Sequence, residues 1–309
     1  MINLFEQPSH QYPVTIGEVS ANHEGSIERV LTMIELAALA GFSSVKFQTY
    51  TADDMTRPGL HKITKGLWKG YDLYELYKQG SMPHEWHKDL FDFSREKGIL
   101  PFTTVFHPRT VAFVERLEPS AYKIASFEIT YKDLLHEVAR TGRPVVLSTG
   151  MASEREIFEA IEIVSKYSNS PLYVLKCTSA YPAAYCQLNL ETIPDLQRKI
   201  AIQRPGAMVG FSDHTVGNLA SSLAAALGSK CIEKHITLFN TDKGLDSAFS
   251  LPANEYLSFT KSIKDAVDSL GSVSYGPTLD EQDSLIYRRS IHKIGTEELV
   301  LRPSNGKPL

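Results

Sequence analysis

Val14-Thr15-Ile16-Gly17-Glu18-Val19-Ser20 is a short run rich in β-branched residues, and Ser44-Val45-Lys46-Phe47-Gln48 is another. Between them, residues 27–40 repeat apolar side chains at helical spacing. Strand, amphipathic helix and strand in that order make a βαβ unit, whose two strands lie parallel. Outward from this unit the same alternation recurs. Further strands are predicted at 100–105, 122–125, 144–148, 172–177, 208–211 and 230–235. Further helices are predicted at 84–97, 110–116, 134–140, 154–167, 190–203, 217–227 and 256–270. Eight strand-helix units over roughly 270 residues predict an α/β fold of one kind, the (β/α)8 TIM barrel, whose usual size is about 250 residues. An open doubly wound sheet fits less well, because the first strand runs into Ala21-Asn22-His23-Glu24-Gly25 and not into a glycine-rich phosphate turn. No nucleotide cofactor is expected.

The chain has 309 residues, 42% hydrophobic and 22% charged, a globular composition that excludes a disordered or fibrous chain. Lys and Arg number 32 against 36 Asp and Glu, net −4, so no broad basic field would attract nucleic acid or anionic lipid. Apolar stretches such as 219–227 fall far short of the ~20 residues that span a bilayer, and no charged-then-apolar leader opens the chain. The expectations are no nucleic-acid partner, no membrane and a cytoplasmic location. Cys177, Cys186 and Cys231 lack metal-knuckle spacing and cannot all pair, so they read as reduced, with Cys231 in the core. Residues 1–285 are read as the barrel and 286–309 as a tail too short for a second core. The segment 51–82 is longer than ordinary barrel loops and carries Leu67-Trp68-Lys69-Gly70-Tyr71-Asp72-Leu73-Tyr74, which reads as a lid over the barrel mouth.

Barrel active sites lie at the carboxyl ends of the strands, and those ends are polar here. They carry Glu18, Asn22 and His23; Lys46 and Gln48; Thr103 and Thr104; Lys123, Ser126 and Glu128; Ser148 and Thr149; Thr178 and Ser179; Ser212, Asp213 and His214; and Glu233, Lys234 and His235. Alternation along a strand turns Lys46 and Gln48 inward and Val45 and Phe47 toward the helices. It likewise puts Glu233 and His235 on one face and Lys234 on the other. Inward ammonium groups are costly unless an anion neutralises them, so Lys46 and Lys123 beside Ser and Thr hydroxyls suit a phosphate or carboxylate ligand. His214 and His235, at the ends of adjacent strands, can converge on one divalent metal and leave positions open for substrate and water.

The ordered motifs Glu18-Val19-Ser20-Ala21-Asn22-His23, Val45-Lys46-Phe47-Gln48, Lys123-Ile124-Ala125-Ser126-Phe127-Glu128, Ser148-Thr149-Gly150-Met151, Phe211-Ser212-Asp213-His214-Thr215 and Glu233-Lys234-His235 resemble the sialic acid synthase family of nonulosonic acid synthases. The resemblance runs from about residue 13 to 290. Residues 122–129, Asp246-Ser247-Ala248-Phe249-Ser250-Leu251 and Tyr275-Gly276-Pro277-Thr278 are similar to its pseudaminic acid branch. Gly244-Leu245-Asp246-Ser247 stands where the sialic and legionaminic branches carry Gly-Pro-Asp-His, and this loop is the main basis for choosing the branch.

The resemblance implies condensation of phosphoenolpyruvate with an open-chain N-acetylated amino sugar, in this branch 2,4-diacetamido-2,4,6-trideoxy-L-altrose, with C–O cleavage and release of phosphate. It implies a divalent metal, Mn2+ or Mg2+, on His214 and His235. It assigns Lys46, Thr104, Lys123, Ser126, Ser179 and Ser212 to phosphoenolpyruvate, and places Gln48, Glu128 and Tyr181 in the same pocket. Glu18 and Asp246 would bind the sugar, and either would relay the proton. Val105 and Ser179 depart from the usual family residues in ways the fold tolerates. Family members also carry an antifreeze-protein-like domain that reaches across a homodimer. Arg288-Arg289-Ser290-Ile291 and Leu301-Arg302-Pro303-Ser304-Asn305-Gly306 are expected to be a remnant of it. Two other readings compete: a Schiff-base pyruvate aldolase with Lys46 or Lys123 as nucleophile, and a barrel that binds a ligand without turning it over.

Overall fold

The computed structural model describes residue 5, residues 11–287 and the backbone strands at 289–294 and 298–303. Eight parallel strands follow the predicted order: β1 Val14–Glu18, β2 Ser44–Thr49, β3 Leu100–Val105, β4 Tyr122–Ile124, β5 Val145–Ser148, β6 Leu172–Cys177, β7 Met208–Asp213 and β8 Cys231–Thr237. Each pairs with the next, and β1 pairs with β8, which closes the barrel. Among the described residues, ten α-helices surround or cover it: α1 Ile27–Leu39, α2 Ala52–Met55, α3 Leu73–Gly80, α4 His87–Glu96, α5 Pro108–Glu115, α6 Lys132–Arg140, α7 Glu154–Tyr167, α8 Thr192–Gln203, α9 Leu219–Ala226 and α10 Tyr256–Asp268. A short strand, β9 Leu251–Pro252, adds to the end of β8.

Local chemistry explains the boundaries. The Ser26 hydroxyl accepts from Arg29 N at the start of α1, and Val30, Met33, Ile34 and Ala37 then form its buried stripe. Ser153 and Glu156 close a capping box at the start of α7. Two departures from the predicted elements matter. β7 and β8 each run two residues beyond their predicted ends, which brings Asp213 into the sheet. The segment read as a loop at 51–82 holds α2 and α3, the latter started by Asp72, whose carboxylate accepts from Tyr74 N.

Two apolar cores stack on this frame. Outward residues such as Val45 and Phe47 pack under the helices. Inside the barrel, Phe102, Val146, Tyr173 and Leu175 fill the lower layer, with Phe5 against Phe102 and Tyr173 at ring distances of 5.1 and 5.6 Å. Cys231 lies in this layer, buried as expected. The inner layer above it is polar, because register carries Glu18 beside both Lys46 and His235, and Thr104 beside both Gln48 and Lys123.

Contacts divide the chain into Met1–Leu270 and Gly271–Leu309. Within the second unit, 3-10 turns at Leu279–Glu281 and Asp283–Tyr287 precede an antiparallel hairpin of β10 Arg289–Ile294 and β11 Glu298–Pro303. Arg288 and residues 304–306, parts of the expected remnant, lie outside the described residues. Among the described residues, no helix is long and apolar enough to cross a membrane.

Candidate active site

The carboxyl ends of the strands open into a cavity of about 430 Å³. Lys46, Gln48, Thr104, Lys123, Ser126 and Ser212 line its floor, and Glu128, Tyr181, His214, His235 and Asp246 line its sides. Two further sequence-predicted residues stand just behind this lining. Glu18 is fully buried beneath Lys46, and the Ser179 hydroxyl is hydrogen-bonded to that of Ser126 at 2.8 Å. Gly150, at φ +50°, lets the chain pass this pair, since a Cβ there would stand 2.3 Å from Ser126 Cβ. Asn22 and His23 face other tasks. Asn22 donates to Ile236 O and Ser250 Oγ, and His23 Nε2 meets Gly80 O at 3.1 Å, tying α3 to the loop after β1.

One expectation is corrected. Lys46 and Lys123 do not wait for an outside anion, because the barrel supplies two carboxylates. Lys46 Nζ lies 2.6 Å from Glu18 Oε2 and 3.6 Å from Glu233 Oε2, and it donates to Thr104 Oγ1 at 2.9 Å. Lys123 Nζ donates to both oxygens of Glu233 at 2.9 and 3.1 Å, and Ser212 Oγ donates to the same carboxylate at 2.9 Å. Burial alone would raise the pKa of Glu233, but Lys123 and Lys46 outweigh it and hold the carboxyl far below its usual range. Burial likewise works against a charged Lys46, and Glu18 and Glu233 reverse it to leave the ammonium above its ordinary value. Glu18 goes the other way: burial pushes its carboxyl up further than Lys46 pulls it down. Of the two carboxylates, Glu18 is the one that can hold a proton.

A second chain of contacts joins the first strand to the last. Gln48 Nε2 donates to Glu18 Oε1 at 3.0 Å and to Ser20 Oγ at 2.8 Å, and Ser20 Oγ donates to Asp246 Oδ2. The imidazole of His235 and the Ser20 hydroxyl overcome the burial of Asp246 and keep its carboxyl below the ordinary value. Ser20 sits at φ +48°, a left-handed backbone that costs a non-glycine residue energy and concentrates at functional sites. Sequence reading singled out neither Ser20 nor the counter-charge role of Glu233. The inward placement of Glu233 was readable from strand alternation, whereas a positive φ at serine leaves no mark in the sequence.

The donor set suits a divalent cation. His214 Nδ1 donates to Thr178 O at 2.9 Å, which leaves its Nε2 lone pair free, and burial next to His235 lowers its pKa to about 4, so the ring is neutral. The two imidazoles stand with ring centroids 5.4 Å apart. His235 Nδ1 is buried, has no hydrogen-bond partner among the described residues and lies 3.6 Å from Asp246 Oδ2. No group of three His, Cys, Asp or Glu side chains forms a ready-made cage among the described residues. A cation here would therefore take two imidazoles and complete its shell from substrate and water.

Behind the wall, Lys234 and Asp213 form a fully buried ion pair at 3.1 Å, on the opposite face from Glu233 and His235 as alternation requires. Asp213 also accepts from Thr215 N, Thr215 Oγ1 and Ser221 Oγ. The pair anchors the strand residues that flank His214 and His235.

Comparison with known proteins bears on the family and the fold. The chain is 38% identical over 306 residues, covering 94% of itself and 87% of the relative, to the pseudaminic acid synthase of Campylobacter jejuni subsp. jejuni serotype O:23/36. It is 37% identical over 264 residues, 84% of itself and 76% of the relative, to the pseudaminic acid synthase of Helicobacter pylori. Among solved structures, the N-acetylneuraminic acid (sialic acid) synthetase of Leptospira borgpetersenii in complex with citrate superposes with a TM-score of 0.78 at 31% identity, covering 90% of this chain and 92% of that one. Residues 33–275, from within α1 to just past α10, match the model of the NeuB family, and the chain belongs to that family.

Proposed function

We propose that this enzyme condenses phosphoenolpyruvate with an open-chain N-acetylated amino sugar, 2,4-diacetamido-2,4,6-trideoxy-L-altrose, to give pseudaminic acid and phosphate. The observation that carries the reading is the meeting of Lys46, Lys123, His214 and His235 at one rim of the barrel, in one cavity. The names of the similar synthases support it. Lys46, Lys123 and the hydroxyls of Ser126 and Ser212 would hold the phosphorylated enol. Ser148 Oγ, buried and without a hydrogen-bond partner among the described residues, adds a donor in the same lining. Holding the enol carbon against the aldehyde converts a bimolecular encounter into a positioned one.

A divalent cation on His214 and His235, Mn2+ or Mg2+, would polarise the aldehyde oxygen. With Glu18 holding its proton, two ammonium groups face two carboxylates, Glu233 and Asp246, so the cavity has no spare positive charge for a trianionic substrate until a cation enters. As the aldehyde becomes an alcohol its oxygen takes a proton, and water adds at the former enol carbon before the C–O bond to phosphate breaks. Glu18, the carboxyl whose burial favours protonation, is the proton source we assign, reaching the cavity through the Lys46 ammonium that it touches. Asp246, held by Ser20, orients the sugar.

The Schiff-base alternative is less well supported. An amine nucleophile must shed its proton, which Glu18 and Glu233 hold on Lys46, and Lys123 Nζ is already engaged by both oxygens of Glu233. The test supplies purified protein with phosphoenolpyruvate carrying 18O in the bridging position, Mn2+ and the amino sugar. Labelled phosphate and a nine-carbon acid are expected. Absence of phosphate release with any amino sugar at saturating metal, or pyruvate trapped on lysine by borohydride, would overturn the reading.

A further inference from the structure

The cavity has two unlike surfaces. Its floor is charged, while five of the residues that reach it from 51–82 are apolar, Met55, Ile63, Trp68, Leu73 and Leu76, beside Tyr77 and Gly80. Met55, Ile63, Trp68 and Leu73 are only half-buried, so the chain itself leaves part of their apolar surface facing the cavity. This roof is fixed in place. Ile63 N donates to Tyr71 O and Gly70 N to Ile63 O, both at 2.9 Å, which pins the turn, and Trp68 Nε1 donates to Leu245 O at 2.8 Å, which ties it to the loop that carries Asp246. Trp68 also stands 5.3 Å from the ring of Tyr181, which in turn stands 4.5 Å from that of His214.

A ligand filling this space must be polar on one side and apolar on the other. Hydroxyls turned toward Ile63, Trp68 and Leu73 would lose water without gaining partners, the indole N–H being already spent on Leu245 O, whereas methyl groups there would remove apolar surface from water. We propose that Ile63, Trp68 and Leu73 form a subsite for the methyl groups of the acceptor sugar, and that this roof, not the charged floor, selects a deoxygenated or N-acylated amino sugar over its hydroxylated counterpart. The inference rests on the condensation proposed above. Its size follows from the chemistry of apolar pockets, which separate ligands differing by one methyl or hydroxyl by about ten- to a hundredfold.

The methyl groups have two sources, the sugar's terminal carbon and its acyl groups, and paired substrates separate them. One pair is a 6-deoxy and a 6-hydroxy amino sugar otherwise identical; the other is N-acetyl and N-formyl. Steady-state phosphate release gives kcat/KM for each. Wild type is expected to favour the methyl-bearing member of at least one pair by about tenfold or more. Leu73→Asn and, as a milder change, Ile63→Thr are expected to shrink that preference to within about threefold, with phosphoenolpyruvate affinity by calorimetry as the check on folding. Turnover without preference in either pair, or a preference that survives both substitutions, would overturn the subsite alone. Failure to release phosphate with every sugar would overturn the condensation and the subsite with it.

Discussion

Lys123 Nζ, on β4, lies 2.9 Å from Glu233 Oε1, on β8, so the pair reaches across the inside of the barrel. Lys46 stands 3.6 Å from the other oxygen of the same carboxylate. Glu233 therefore shares its charge between both ammonium groups, beneath the place proposed for the phosphate. An arriving anion finds lysines already neutralised and oriented, which fixes their geometry at the expense of their free charge.

Replacing Glu233 by Gln keeps the shape and removes the counter-charge. Breaking a buried ion pair from one side costs about 3 to 5 kcal/mol, and Glu233→Gln should lose stability of that order in urea unfolding. Phosphoenolpyruvate or inorganic phosphate should then raise the Tm of the variant more than that of wild type, since the two lysines are left with no carboxylate but Glu18. Equal ligand-induced shifts in both proteins would show that Glu233 does not balance the lysines.

Glu128 supplies a pH signature. Burial lifts its carboxyl to about 7, against opposing pulls from its own backbone N–H and from Lys123, and its Oε2 has no hydrogen-bond partner among the described residues. The folded pKa lies above the ordinary 4.5, so the folded chain keeps this proton while the unfolded chain releases it. The associated stability is complete below about pH 4.5 and is lost as pH rises through about 7, a total of about 3 kcal/mol. Urea midpoints measured from pH 5 to 8 should fall in wild type and fall less steeply in Glu128→Gln. Parallel pH profiles would place the proton elsewhere.

The contrast between Lys46 and its partners shows what a sequence carries. Period-two alternation turned Lys46, Gln48, Glu233 and His235 inward and Lys234 outward, because strand geometry is local, and all five stand where alternation put them. The pairing of Lys123 with Glu233 spans 110 positions and exists only once the barrel has closed, so no window of sequence displays it. The same holds for Glu18 beside His235, neighbours solely through the β1–β8 closure. The lid helices were hidden for another reason: α2 and α3 are too short for a periodic signal, although Asp72 before Leu73 is a readable cap.

Ser20 offers a test that separates strain from chemistry. Its left-handed backbone disfavours any side chain with a Cβ by about 1 to 2 kcal/mol, while glycine adopts it freely but loses about 0.5 to 1 kcal/mol of unfolded-state entropy advantage. Both Ser20→Ala and Ser20→Gly remove the hydroxyl that joins Gln48 to Asp246. The glycine variant should therefore be the more stable by about 0.5 to 1 kcal/mol, while kcat falls alike in both. If alanine proves the more stable, the strain assigned to position 20 is absent; if activity survives in either, the hydroxyl does not hold Asp246 for the reaction.

The charge balance of the cavity leads to a binding order. With Glu18 holding its proton, Lys46 and Lys123 carry two positive charges against Glu233 and Asp246, and the imidazole of His214 is neutral at any pH well above 4. A trianion brought into such a site finds no net attraction until a cation supplies it, and one unit charge at contact distance is worth roughly 4 kcal/mol at an effective dielectric of 20. Phosphoenolpyruvate should accordingly bind at least about tenfold more weakly, by calorimetry in a chelator, than with saturating Mn2+. In His214→Ala and His235→Ala the added Mn2+ should restore little of that affinity, because the imidazole lone pairs that hold it are gone. Affinity for phosphoenolpyruvate that is indifferent to the cation would mean that the lysines alone carry the anion, and the two histidines would then need another task.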